Sequence, residues 1–305
     1  MNQVIVTTHS PEFIDFYRLK NVILLDQVIG TKKNYKRTNQ DISAINTIQI
    51  DISVEEGCKK IQEYLGLEED KTDLLDSYNI FVEGECDKKY LEELSNYFKI
   101  KPKKIHVIGG VSKYQRELEF YDSWYSQQKN PDIYHKKPKV TLLFDNDEAG
   151  RESYKLIKKK EFKNLEVQLQ FVPTRDGDFP DLDNLQKIKS NLEIEDFLYP
   201  ELIYHLSDLI LKSSALERFN LRELRSKLNN KGHRDKGILE IMNDLLRDKN
   251  PNGIGNINFC HTSIKGGLAS KFTYIANKKI SMILEGGDNQ YPYVKRFISD
   301  IMKRD

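Results

Sequence analysis

The chain has 305 residues, 38% hydrophobic and 31% charged, with a formal net charge of +1. That length excludes a single small core and suits two or three compact units. The balanced charge does not announce nucleic-acid binding, which would need a local basic patch. Cys58, Cys86 and Cys260 lie far apart with no CxxC, so neither a zinc ribbon nor a disulfide framework is supported, and a reducing cytoplasm fits. No signal peptide and no apolar run able to span a bilayer is present, so no membrane partner is expected.

In chain order, residues 3–8 predict a buried strand, followed by Ser10 as helix cap and Pro11 at the first helical position. Residues 21–26 predict a second strand. Residues 30–46 are polar and basic and predict an exposed loop, with a strand at 48–52 and a helix over 54–65 capped by Ser53. The acidic stretch 67–77 is the expected domain boundary. Beyond it, residues 79–83 predict a strand ending in Glu83, and Gly84 and Asp87 lead into a helix with Tyr90, Leu91, Leu94 and Phe98 on one stripe. Residues 104–108 predict a strand closed by Gly109-Gly110, with Lys113 opening a helical stretch.

Residues 140–144 form a short continuous apolar run, the pattern of a strand covered on both faces. It ends in Asp145-Asn146-Asp147, followed by a helical segment and another strand over 167–172. Strands alternating with helices imply βαβ crossovers and a parallel α/β sheet, whose ligands sit beyond the carboxyl ends of the strands. Asp145 and Asp147, two apart in an extended chain, point the same way. Two carboxylates about 4 Å apart repel by about 4 kcal/mol at an effective dielectric near 20, and a divalent cation would offset that. The plain alternative is a turn or helix cap. Residues 197–249 predict helices, 254–259 a short strand, and 271–285 and 293–303 closing helices.

The segments FVEGECD at 81–87 and LFDNDEAG at 143–150, with a Gly-Gly strand end between them, resemble a Toprim domain, the metal-binding module of topoisomerases, bacterial primases and several nucleases. At the N-terminus, VIVTTHSPEF resembles the switch-histidine segment of ABC-type ATPases, with His9 as the nucleotide-sensing residue. No GxxxxGK[ST] loop is present, so residues 1–75 are expected to be the tail of an ATPase domain and a connector. An ATPase tail running into a Toprim resembles the OLD (overcoming lysogenization defect) family of nucleases, the group that contains the Gabija anti-phage nuclease subunit.

That resemblance implies a Toprim nuclease domain at 76–200 and a helical region at 201–305 that completes the site. It implies a Mg²⁺- or Mn²⁺-dependent endonuclease acting on double-stranded DNA with two ions. Glu83, Asp87, Asp145, Asp147, Glu193 and Glu195 would be the metal ligands, and Lys265 would meet the scissile phosphate. Glu83, Asp145, Asp147 and Lys265 would carry the catalysis, with Lys271 and Lys113 as reserve phosphate-binding residues. A homo-oligomer is expected, a helicase-like partner follows from the Gabija branch, and ATP would bind only with a complete ATPase domain. The rivals are a non-catalytic Toprim scaffold regulating an ATPase and a topoisomerase- or primase-type Toprim protein. A topoisomerase would need a nucleophilic tyrosine in a separate DNA-cleavage domain, and a primase a zinc module.

Among the remaining residues, His106, His135 and His205 read as core, rim or surface groups. His233 lies in a basic loop, open between solvation and DNA phosphate contact. Residues 175–178 read as a turn near the sheet edge, with contact to metal or DNA as the alternative.

Overall fold

The computed structural model describes residues 24–33, 41–50, 75–127, 137–233, 235–274 and 278–303. The expected strand at 3–8, His9, the helix over 54–65 and His135 lie outside them. The chain divides into two compact units, Met1–Leu75 and Asp76–Asp305.

In the first unit, β1 (Leu24–Lys33) and β2 (Asp41–Ile50) pair antiparallel, from Leu24 opposite Ile50 to Lys33 opposite Asp41. This corrects the expected loop over 30–46, because strand runs through Lys33 and begins again at Asp41. The misleading signal was polarity: Ile42, Ala44, Ile48 and Ile50 already follow the two-residue period of a strand.

The second unit is α/β. Strands β3 (Tyr78–Val82), β4 (Lys104–Val107), β5 (Lys139–Phe144) and β6 (Glu166–Phe171) form a parallel sheet in the order β4-β3-β5-β6. Helix α1 (Glu85–Tyr97) joins β3 to β4, α2 (Tyr114–Gln127) joins β4 to β5, and α3 (Glu148–Ile157) joins β5 to β6. The order reverses between β3 and β5. Their carboxyl ends therefore flank a topological switch point, where α/β sheets place their ligands.

Alternation along the strands separates two layers of core. Tyr78, Ile80 and Val82 of β3 and Leu143 of β5 join the cluster built with α1 and the later helices. On the opposite face, Phe81 meets Tyr121, and Phe144 lies against Tyr114 and Tyr154 with ring centroids 5.3 and 6.0 Å apart. These buried aromatics bring large apolar area and edge-to-face geometry to one layer.

The rest of the unit is helical: α4 (Ile194–Phe197), α5 (Pro200–Leu211), α6 (Leu221–Leu228), α7 (Ile238–Lys249), α8 (Thr262–Tyr274), α9 (Lys278–Gln290) and α10 (Pro292–Lys303). Buried Phe197, Leu202, Leu268, Phe272 and Ile298 pack with α1 in one cluster. The expected strand over 254–259 is absent. Gly253 and Gly255 have φ of 110° and 59°, the Ile257 amide closes a turn onto the Ile254 carbonyl, and the Phe259 amide donates to Asn243 Oδ1 at 2.9 Å. Left-handed glycines and a side-chain acceptor replace a strand ladder there. The lysine-bearing segment also differs from expectation, since 262–274 is one helix rather than a helix beginning at 271. Gly266 and Gly267 weaken its helical signal. Buried Leu268, Ala269 and Phe272 pack this helix into the core regardless.

Candidate functional site

Buried backbone and aromatic contacts set the carboxyl ends of β3 and β5. The Tyr114 hydroxyl donates to the Leu143 carbonyl at 2.8 Å and reaches the Phe81 carbonyl at 3.4 Å, tying the two strand ends together. The amides of Gly109 and Gly110 both donate to the Glu83 carbonyl, at 2.9 and 3.2 Å. Their φ angles of 76° and 126° are ones that side-chain-bearing residues rarely adopt, so the Gly-Gly pair is what lets the end of β4 fold over Glu83.

Asp87 turns back to accept from the Gly84 amide at 2.8 Å, and Asp147 caps α3 by accepting from the Gly150 amide at 2.6 Å. Each satisfies a helix N-terminal donor and places negative charge at the positive end of the dipole. A β-carbon at Gly150 would sit 2.2 Å from the Asp145 carbonyl oxygen, so this turn admits no side chain.

The acids at 193–196 arrive from the far side. Asn146 and Leu192 form an antiparallel bridge, with the Leu192 amide 3.2 Å from the Asn146 carbonyl. Asp196 accepts from the Glu193 amide at 3.1 Å and from the Ile238 amide at 2.7 Å, and it faces Arg175 Nε at 3.5 Å. Lys265, in the first turn of α8, ion-pairs with Glu193.

The electrostatics identify these groups as one cluster. Burial pushes Glu83 up, with Asp147 and Glu193 adding and Lys265 opposing. Burial carries Asp87 up to about 7 against the Gly84 amide, helped by Glu83 and Glu193. Asp145 is pushed well above the usual carboxylate range by burial, then by Asp87, Glu193, Glu195 and Asp147. Glu195 rises to about 8 through burial and Glu193, with Lys265 opposing. For Lys265, burial lowers the ammonium but Glu193, Glu195 and Asp145 outweigh it, so its pKa lies above the usual lysine value.

The structure thus brings together Glu83, Asp87, Asp145, Asp147, Glu193, Glu195 and Lys265. No contact of Lys113 or Lys271 with this cluster is seen among the described residues. Lys113 is exposed, with Nζ 3.3 Å from where a β-carbon on Gly109 would stand, and Lys271 lies about 240° around α8 from Lys265.

The donor chemistry suits a hard divalent cation: all six acids offer carboxylate oxygens. Glu195 is 2% exposed, and its Oε1 finds no hydrogen-bond partner among the described residues. A buried acceptor in that state needs a cation, a proton or an ordered water. As the side chains stand, no three His, Cys, Asp or Glu groups among the described residues converge tightly enough to hold an ion. Backbone amides hold Asp87 and Asp147, and Lys265 holds Glu193, so an ion would draw these carboxylates from their present partners.

Several contributors were not among the expected site residues. Arg175, read as part of a turn, is the partner of Asp196, and buried Arg151 donates to Asn146 and Ser190. Each had a faint signal: Asp196 stands three residues after Glu193, as in a capping box, and Arg151 is a cation in a helix first turn, where the dipole disfavours it. His106 packs on Phe81 at 5.2 Å and bonds to Asn79 at 3.1 Å, a packing role. Compared with known protein families, curated proteins and solved structures, the chain finds no match in any of the three.

Proposed function

We propose that this chain carries a divalent-cation-dependent DNA endonuclease centre of the Toprim type, in an OLD-like arrangement serving anti-phage defence in the cytoplasm. The observation that carries the reading is the cluster itself: six carboxylates and one lysine, delivered by separate loops and helices to a switch point, with the buried Glu195 Oε1 unpartnered. Burying like charges together is costly without a compensating cation, which makes such clusters candidates for function.

In this reading Glu83, Asp87, Asp145, Asp147, Glu193 and Glu195 hold Mg²⁺ or Mn²⁺. When bound, paired ions supply an activated water and stabilise the leaving oxygen of a phosphodiester. Lys265 leaves Glu193 and presents a compact positive charge to the scissile phosphate. The amino ends of α1 and α3 direct further positive dipole toward the same anion. Residues 76–200 form the Toprim part, 201–305 complete it through Lys265, and 1–75 are the tail of an ABC-type ATPase domain in which His9 and ATP matter only with the remainder of that domain. Double-stranded DNA is the substrate, with self-association and a helicase-like partner as further proposals.

One observation favours a second reading, a non-catalytic scaffold. Lys265 already neutralises Glu193, so part of the charge is balanced without metal. Supercoiled-plasmid nicking with Mg²⁺, Mn²⁺ or EDTA separates the two. The nuclease reading expects nicking that EDTA and Asp145→Ala each abolish. Nicking by Asp145→Ala with unchanged metal dependence would sink it.

A further inference from the structure

Arg151 is 7% exposed, and among the described residues no carboxylate comes within ion-pair reach of it. Its Nη1 instead donates to three neutral oxygens: the Asn146 carbonyl at 2.8 Å, Asn146 Oδ1 at 3.1 Å and the Ser190 carbonyl at 2.8 Å. Asn146 stands between Asp145 and Asp147. Ser190 lies three residues before Glu193. The bond from the Leu192 amide to the Asn146 carbonyl runs beside this contact. One guanidinium therefore spans the two chain segments that bring the acids together from opposite sides.

Those segments repel. Asp145 experiences Glu193 and Glu195 as like charges, and each raises its pKa. A buried cation is costly, and here it is held by hydrogen bonds to backbone and amide oxygens rather than spent neutralising an acid. The three acceptors share the two hydrogens of one nitrogen, Nη1, at the end of a long stem that a lysine ammonium, one bond shorter, would not carry to both segments at once.

We infer that Arg151 is a positioning residue that fixes the separation between the Asp145–Asp147 pair and the Glu193–Glu195 pair, and so sets how tightly the cluster takes a divalent cation. This rests on the reading of the cluster as a cation site. Partners that orient ligands without touching the ion are typically worth about 10–100-fold in metal affinity.

The test uses the full chain and Mn²⁺, with binding read by calorimetry and nicking read against Mn²⁺ concentration. Arg151→Lys is expected to raise the Mn²⁺ needed for half-maximal binding and nicking by about tenfold or more, while the rate at saturating Mn²⁺ stays close to wild type. Asn146→Ala removes one of the three acceptors and is expected to shift the same midpoint in the same direction by less. It decides the matter if Arg151→Lys does not fold. Ser153→Ala is the structural control. Ser153, on the same helix, donates to the Val111 carbonyl at 2.9 Å, beside the turn over Glu83, and bridges neither the 145–147 segment nor the 193–195 segment. Its loss lowers the melting temperature without moving the Mn²⁺ midpoint. Wild-type midpoints in every folded Arg151 and Asn146 variant, or an equal shift in Ser153→Ala, would overturn the inference and leave the cation reading standing. A wild-type chain that binds no Mn²⁺ removes the reading, and the inference with it.

Discussion

The two ends of the parallel sheet carry opposite charge in very different states. At the carboxyl end, Glu83, Asp145 and their neighbours are drawn into the protein, and burial moves several of them far from their solution behaviour. At the amino end, Lys99, Lys101, Lys103, Lys104 and Lys303 line one hollow with Asp76 and Tyr78. Lys99, Lys101 and Lys303 are exposed, and Lys103 rests its ammonium 5.6 Å from the Tyr78 ring centre. The lysine end gathers five cations against six acids, and Lys99, Lys101 and Lys303 keep theirs in water on long stems, at little cost. Charge number does not mark a site; desolvated charge held together by the fold does.

The largest effect that could break this contrast is loss of one acid. Asp145→Ala should lower cation affinity and nicking by more than about a hundredfold, since a direct ligand outweighs the partners that merely orient ligands. Its melting temperature at neutral pH should not fall, because the substitution removes a carboxyl group whose charged form burial disfavours most and Asp87, Glu193, Glu195 and Asp147 disfavour further. A variant that unfolds would point to a structural role instead.

Lys265→Met comes next. The pair it breaks is about a quarter exposed on each side, so screening reduces its worth, and the metal-free chain should lose about 1–2 kcal/mol in urea denaturation. Mn²⁺ should restore more stability to this variant than to wild type, because an ion takes over the charge Lys265 supplied. Nicking should drop by about 10²–10³-fold even at saturating Mn²⁺ if the lysine meets the phosphate. Equal Mn²⁺ stabilisation of both proteins would contradict that account.

A smaller effect follows from pH. Asp87 and Glu195 titrate at about 7 and about 8 in the fold. In the unfolded chain both would titrate near 4. The native state therefore holds protons that unfolding releases, so stability is fully present below about pH 4 and declines as pH rises through 7 and 8. Thermal melts in EDTA should show a lower midpoint at about pH 8.5 than at about pH 5.5, and Mg²⁺ should raise the midpoint more at the higher pH. A flat metal-free profile would mean that these acids are not buried together.

The smallest effect belongs to the amino end. Lys101→Glu with Lys303→Glu should change stability by no more than about 0.5 kcal/mol and leave the Mn²⁺ midpoint unmoved. A shift of that midpoint would show that the two ends communicate.

Much of the sheet was legible because its signals are local. The apolar run 140–144, the Gly-Gly after β4 and the stripe of Tyr90, Leu91 and Leu94 each predict their element without outside help. The acids at strand ends were legible for the same reason, because strand position alone places Glu83, Asp145 and Asp147 at one edge. What local pattern could not reveal was tertiary. Nothing near Arg151 says that its partner is the Ser190 carbonyl, and nothing near Asp196 says that it caps α7 through the Ile238 amide. The helix carrying Lys265 departs from its local signal because Gly266 and Gly267 depress helix propensity while burial of Leu268, Ala269 and Phe272 sustains it. The β1–β2 pair was hidden by polar residues, which a backbone ladder tolerates.

The most direct test of the central claim is a Mn²⁺ titration of the full chain followed by electron paramagnetic resonance, which counts free hydrated ions. The account predicts about two bound Mn²⁺ per chain, displaced by Mg²⁺, with binding lost in Asp145→Ala. A wild-type chain that binds no Mn²⁺, or an Asp145→Ala variant that binds it unchanged, would contradict the assignment of the carboxyl end of the sheet as a cation site.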